Sequence, residues 1–294
     1  MRLVRFVHDR TIDYGVEQDG EIAPSNVISE KIGKELPPSL DALINLPLID
    51  EVLRLEDKTL DCTIPLEEVK LLKPLTSPAK IICLGKNYAE HAAETGFEPP
   101  KEPVIFMKAR TSLNGPYDDV IVPDDYVREV DYEGEIAFVM KKGGRRLNEK
   151  EAKGSILGYM AFNDVTARDL QRRDGQWVRG KSIDTFAPIG PWIDTSVEFE
   201  ELGVTTWVNG ERRQHASSSQ MIFKPWDIIS ILSKGLTLEP GDIIATGTPS
   251  GVGGFSNPPK LLKHGDVVEI EIWSVGRIRN RIVYESMREG DVVS

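Results

Sequence analysis

EVDYEGEIAFVM, residues 129–140, is the stretch whose reading decides the fold. In a strand, residues two apart share a face, so Glu133 and Glu135 project together while Gly134 faces the other way. The apolar run IAFVM follows at once, which makes this a strand that enters a core. Two carboxylates abreast repel, and one is pushed toward its protonated form. A bound cation removes that conflict. A solvated strand face also carries Glu pairs at this spacing, so the segment alone leaves both readings open.

Working outward, strands dominate from Lys80 onward. KIICLG, PVIFMKA, DVIVP, ILGYMAF, TTWVNGERRQ, DIIATG, DVVEIEIW and RIRNRIVYE all read as strands or hairpins. Asn209-Gly210 is a strong hairpin-turn signal. Helices are expected over residues 88–95, after Asn148, and over 225–233 with Pro225 in the first turn. Many strands with few intervening helices argue against a doubly wound sheet and for a β-rich α+β fold. Before this lies a smaller α/β unit. LVRFVHD and IDYGVEQ are strand-like, and SLDALINLPLIDEVLRL has helical spacing broken near Pro47. Pro74 and Pro78 mark the best boundary, giving a small N-terminal domain over residues 1–75 and a catalytic domain over 76–294.

Composition narrows the partners. The 294 residues carry 36 Lys and Arg against 47 Asp and Glu, for a net charge of −11. No basic cluster overcomes that field, so nucleic acid and anionic membrane surfaces are not expected partners. An anionic substrate would need positive charge supplied locally. Cys62 and Cys83 form no CxxC pair and read as reduced thiols of a cytoplasmic protein. The N-terminus has no apolar stretch long enough for a signal peptide, and no window approaches a membrane span of ~20 residues. The glycine-rich TGTPSGVGG lacks the Lys-Ser/Thr of a phosphate loop and the spacing of a dinucleotide fingerprint.

A second chemical segment is GYMAFNDVTARD, where an apolar strand ends in Asn163-Asp164. Asp164 suits a third metal ligand, although Asp in this setting is also a common helix cap. Three carboxylates without Cys or clustered His form an all-oxygen set, which favours Mg2+ or Mn2+ over Zn2+. The chain has only four histidines, which excludes a His-rich site. His91 and Glu94, three apart on an expected helix, share one face.

The motifs GKNYAEHAAE, EPVIFMKARTSLNGP, DYEGEIAFVM, NDVTARDLQ, GKSIDTFAPIGPW, VNGERRQ and GDIIATGTPSGVG, in this order, resemble the fumarylacetoacetate hydrolase family over roughly residues 80–285. The resemblance implies a mixed β-roll, usually dimeric, with Mg2+ or Mn2+ held by Glu133, Glu135 and Asp164. It also implies Lys181 as the active-site lysine and Lys108, Gln171 and Thr248 as substrate-contacting residues, with Thr246 a less certain neighbour. His91 and Glu94 would be the lid dyad that activates water in hydrolytic members. The flanking GFEPPKEP reads as a mobile connection.

The chemistry so implied is a metal-stabilised enolate of a small anionic 2-oxo or 2,4-dioxo acid, with Lys181 adding positive charge. An acyl group at C3 gives C–C hydrolysis and a carboxylate gives decarboxylation of oxaloacetate type. A mobile proton alone gives isomerisation or tautomerisation. Only hydrolysis needs the water-activating dyad. A non-catalytic binding protein on the same fold is the third reading, and intact Glu133, Glu135, Asp164 and Lys181 count against it.

Overall fold

The computed structural model describes residues 1–55, 60, 63–88 and 101–287. The strand Gly134–Met140 runs antiparallel between Ile156–Asn163 and Ile243–Ala245, inside a 12-stranded sheet. All seven of its residues are buried. Ile136, Phe138 and Met140 enter one hydrophobic core, and Ala137 and Val139 enter another on the opposite face. A strand covered on both sides has no solvent face, which is why IAFVM is an unbroken apolar run.

Along the sheet the order is Ile64–Pro65, Glu21–Pro24, Thr11–Gln18, Arg2–His8, Ala187–Asp194, Ile156–Asn163, Gly134–Met140, Ile243–Ala245, Ile81–Gly85 and Val104–Met107. Every connection is antiparallel except that between Ile243–Ala245 and Ile81–Gly85. The N-terminal strands therefore continue the large sheet. Arg2 pairs with Asp194 and Leu3 with Ile193 across the junction. There the Arg2 guanidinium bridges Glu17 at 2.9 Å and Asp194 at 3.2 Å, and it stacks 4.7 Å from the Trp192 ring centroid.

A five-stranded sheet ordered Glu211–Ser217, Gly203–Val208, Val267–Ile272, Gly276–Tyr284 and Val120–Val122 covers one face. Its apolar residues Val204, Ile270 and Ile278 share a core with Ile136 and Phe138. The Asn209-Gly210 hairpin forms as its sequence predicts, with φ of 51° and 78°, the left-handed pair that a type I′ turn requires. On the other face the helices Leu40–Ile44 and Ile49–Leu53, interrupted around Pro47, bury Leu40, Leu43, Ile44, Ile49 and Val52. Helix Glu149–Lys153 starts at Asn148 with a reciprocal capping box to Glu151, and Pro225–Leu232 carries its proline in the first turn. The architecture is α+β and strand-rich. Of the helix expected over residues 88–95 only Tyr88 is described, in an isolated antiparallel bridge to Met221; residues 89–100 and Cys62 lie outside the described residues, and Cys83 is a buried free thiol. No helix among the described residues is long and apolar enough to cross a membrane.

Candidate functional site

The segment around the two glutamates is not one uninterrupted strand. Val130–Asp131 pairs with Thr166–Ala167, the ladder breaks at Tyr132 and Glu133, and Gly134–Met140 then pairs with Ile156–Asn163. Side-chain and offset bonds fill the break. The Glu133 N–H donates to Asn163 Oδ1 at 3.2 Å, and its carbonyl accepts from the Asp164 N–H at 2.9 Å. Both chains turn inward at the same level, so Glu133 and Asp164 converge beside Glu135. Gly134 faces away because it must: a Cβ there would lie 2.1 Å from Thr206 Oγ1. Asp164 is not a helix cap, since helix Arg168–Asp174 starts after Ala167.

Ligand oxygens of Glu133, Glu135 and Asp164 all lie within 4.8 Å of one another, and all three residues are buried. Two lysines enter the cluster. Lys181 Nζ donates to Asp164 Oδ2 at 2.5 Å, to Glu133 Oε2 at 2.9 Å and to Thr166 Oγ1 at 2.8 Å. Lys108 Nζ donates to Asp164 Oδ1 at 2.6 Å and to the Val165 carbonyl at 3.1 Å. Burial opposes both ammonium charges. For Lys181, Asp164 and Glu133 outweigh it and hold the pKa above the ordinary lysine value. For Lys108, burial wins against Asp164, and the neighbouring Lys181 charge adds to the fall.

Arg168 completes the set. Its Nη1 lies 2.7 Å from Glu133 Oε1. Its Nε donates to Asp131 Oδ2 at 2.9 Å, and Nη2, 2.7 Å from the same oxygen, is a close charge contact without hydrogen-bond alignment. Burial would lower the guanidinium pKa, but Glu133 and Asp131 raise it beyond its usual value.

The donor set fits a divalent cation. Glu135 Oε2 accepts from the Gly247 N–H at 2.8 Å, while Oε1 is buried with no hydrogen-bond partner among the described residues. Burial, then Asp164 and Glu133, push the Glu135 carboxyl well above the usual carboxylate range. Four carboxylates, counting Asp131, meet three basic side chains here, and the uncompensated one is the residue with the orphaned oxygen. The Lys181 ammonium already bridges Glu133 and Asp164, a position that cationic charge would be expected to occupy.

A pocket of about 320 Å³ opens beside the cluster, lined by Glu133, Arg168, Gln171, Trp177, Thr248 and Phe255 among others. Gln171 Oε1 accepts from Arg168 Nη1 at 3.1 Å. Thr248 Oγ1 donates to the Gly134 carbonyl at 2.9 Å and accepts from Gln214 Nε2 at 2.7 Å. Of the expected site residues, Glu133, Gln171 and Thr248 line the pocket, and Glu135, Asp164, Lys108 and Lys181 form one buried cluster with Glu133. Thr246 instead donates to the Ile136 carbonyl at 2.8 Å and is fully buried. His91 and Glu94 lie outside the described residues. Sequence reading did not assign Asp131, Arg168, Gln214 or Phe255. For Asp131 a signal was present, since it begins the same alternation as Glu133 and Glu135.

The family description "Fumarylacetoacetate (FAA) hydrolase C-terminal" matches residues 80–283. Over 223 residues the chain is 48% identical to a Bacillus subtilis protein named oxaloacetate tautomerase YisK, covering 74% of each. The solved fumarylacetoacetate hydrolase of Exiguobacterium antarcticum is 36% identical and superposes with a TM-score of 0.84, covering 97% of this chain and 99% of that one. A 2-hydroxyhepta-2,4-diene-1,7-dioate isomerase from Mycobacterium marinum is 33% identical with a TM-score of 0.76, over 97% and 99% of the two chains. Sequence match and shared fold agree, and the chain belongs to the fumarylacetoacetate hydrolase family.

Proposed function

We propose that this enzyme binds Mg2+ or Mn2+ through Glu133, Glu135 and Asp164 and interconverts the keto and enol forms of a short 2-oxo dioic acid of the oxaloacetate type. The carboxylate trio with its orphaned Glu135 oxygen carries the metal assignment. The names of the curated relatives support the reaction class. When bound, such a cation supplies Lewis acidity toward a carboxylate and the adjacent oxo group.

The side chains would supply the rest. Arg168 and Gln171 in the pocket wall offer N–H donors to an anionic substrate. Lys181, held charged by its carboxylates, offers positive charge toward an oxyanion in a site shielded from solvent. Lys108 Nζ, bonded to Asp164 Oδ1 and the Val165 carbonyl, would hold the Asp164 carboxylate in place. Tautomerisation moves a proton between C3 and the oxo oxygen and needs no attacking water.

C–C hydrolysis of an acylpyruvate is the second reading, favoured by the similarity to a solved hydrolase. It would require the water-activating pair assigned to His91 and Glu94. The test is to strip metal with a chelator, restore Mg2+ or Mn2+, and follow enol-oxaloacetate by ultraviolet absorbance while a coupled assay reads pyruvate. Metal-dependent enol loss without matching pyruvate is expected. Pyruvate release in step with enol loss would move the assignment to decarboxylation. No metal-dependent change in either signal would overturn the proposal.

A further inference from the structure

The glycine-rich run after Ile243–Ala245 binds no phosphate by motif, yet its backbone does cradle an anion, and that anion is the protein's own Asp131. Asp131 is fully buried. Its Oδ1 accepts from the Gly253 N–H at 2.8 Å and the Tyr132 N–H at 3.0 Å. Its Oδ2 accepts from the Gly254 N–H at 2.8 Å and from Arg168 Nε at 2.9 Å. A carboxylate offers about four lone-pair positions, and all are used. Asp131 therefore has no capacity left to ligate a metal or touch substrate.

Its partners lead instead to a candidate metal ligand and to the pocket wall. Arg168, fixed by Asp131, takes Oε1 of Glu133 and leaves Oε2 facing Lys181 and the carboxylate trio. The loop fixed by Asp131 continues into Phe255, which is 48% exposed, lines the pocket and lies 5.3 Å from the Arg168 guanidinium. The glycines are needed for this approach. A Cβ at Gly253 would lie 2.7 Å from Asp131 Oδ1 and 2.2 Å from the Lys260 carbonyl, and one at Gly254 would lie 3.0 Å from Asp131 Oδ2.

We propose that Asp131 is a positioning residue for both halves of the site, aiming Glu133 through Arg168 and seating the pocket wall through the 253–255 loop. Its first half rests on the metal reading above and its second on the reaction reading. The two halves separate experimentally. Asp131→Asn keeps the shape but turns one acceptor into a donor facing N–H groups. It should weaken Mn2+ binding by roughly the 10–100-fold typical of losing an outer partner of a metal ligand. It should also raise KM for enol-oxaloacetate. Phe255→Ala removes the pocket wall that the loop carries and leaves the four hydrogen bonds to Asp131 in place, so KM should rise while Mn2+ affinity holds.

Mn2+ affinity is read by calorimetry and by the spin-resonance signal of free Mn2+, on protein shown to be folded by circular dichroism. A purely structural Asp131 would lower the melting temperature and leave both constants of the folded protein unchanged, which would overturn the proposal. If Asp131→Asn does not fold, Arg168→Lys serves instead. It keeps the charge, loses the planar fork, and should weaken Mn2+ binding in the same direction; unchanged affinity overturns the proposal. If Glu135→Gln binds Mn2+ like wild type, the metal reading fails on its own, and the KM shifts still decide the loop half.

Discussion

Replacing Glu135 by glutamine keeps an oxygen for the Gly247 N–H and removes the one carboxylate charge that the cluster leaves uncompensated. Two effects follow. In metal-free protein, burial first and then Asp164 and Glu133 raise the Glu135 pKa well above the ordinary glutamate value. The native state then holds a proton that the unfolded chain releases. Stability falls as pH climbs from the ordinary glutamate value through the raised folded one. Glutamine has no such proton, so the variant should lose less stability than wild type over that window. With metal the order reverses. Mn2+ at a hundred times its dissociation constant stabilises a binding-competent protein by ~2.7 kcal/mol. At ~2.1 cal/mol/K per residue of unfolding entropy, the 294-residue chain should gain about 4 °C in melting temperature. Glu135→Gln should gain none. Paired thermal melts with chelator and with Mn2+, near pH 5 and pH 8, read both effects. An equal Mn2+-induced rise in variant and wild type would refute Glu135 as a ligand, and equal pH slopes without metal would refute its raised pKa.

Lys181→Met removes the ammonium shared by Glu133 and Asp164, which keep Arg168 and Lys108 as cationic partners, so urea unfolding of metal-free protein should show a loss of up to ~3–5 kcal/mol, largely recovered with Mn2+. Thr246→Val removes the hydroxyl bond to the Ile136 carbonyl, which should cost about 1 kcal/mol by the same assay while kcat and KM stay unchanged. His91→Ala should leave Mn2+ affinity intact on calorimetry. If the protein also cleaves acylpyruvates, that activity should fall ~10²–10⁴-fold while tautomerisation falls much less.

The pairing of the candidate metal ligands Glu133 and Glu135 was legible because alternation in a strand is a local rule, while their assignment to a metal came from the family resemblance. Two residues of EVDYEGEIAFVM two apart must share a side, and a carboxylate at the end of an apolar strand must lie near the sheet's rim. The hairpin at Asn209-Gly210 and the interrupted helix around Pro47 were legible for the same reason, since turn and helix-breaking chemistry act over a few residues. Long-range partners were not. Arg168 reaches Asp131 across 37 positions and Gly253 reaches it across 122. The glycines of that loop were read only as failing the phosphate-loop pattern, because local spacing does not say what a backbone approaches. The break in the ladder at Tyr132 and Glu133 was also hidden, because Asn163 supplies the missing bond from a side chain rather than from the backbone.

The N-terminal strands have a consequence for how the chain tolerates being cut. The family match begins at residue 80, yet Met1, Leu3, Tyr14, Val16 and Leu43 share a core with Ala137, Val139 and Phe162, which lie close along the chain to the candidate ligands Glu135 and Asp164. A fragment trimmed to the matched region would expose that apolar layer. It would also unpair Ile193 and Asp194, leaving an open strand end to recruit another chain and aggregate. A protease nick between the two parts is a different injury. The peptide bond would be lost, but the Arg2 clasp and the sheet hydrogen bonds would keep the pieces together.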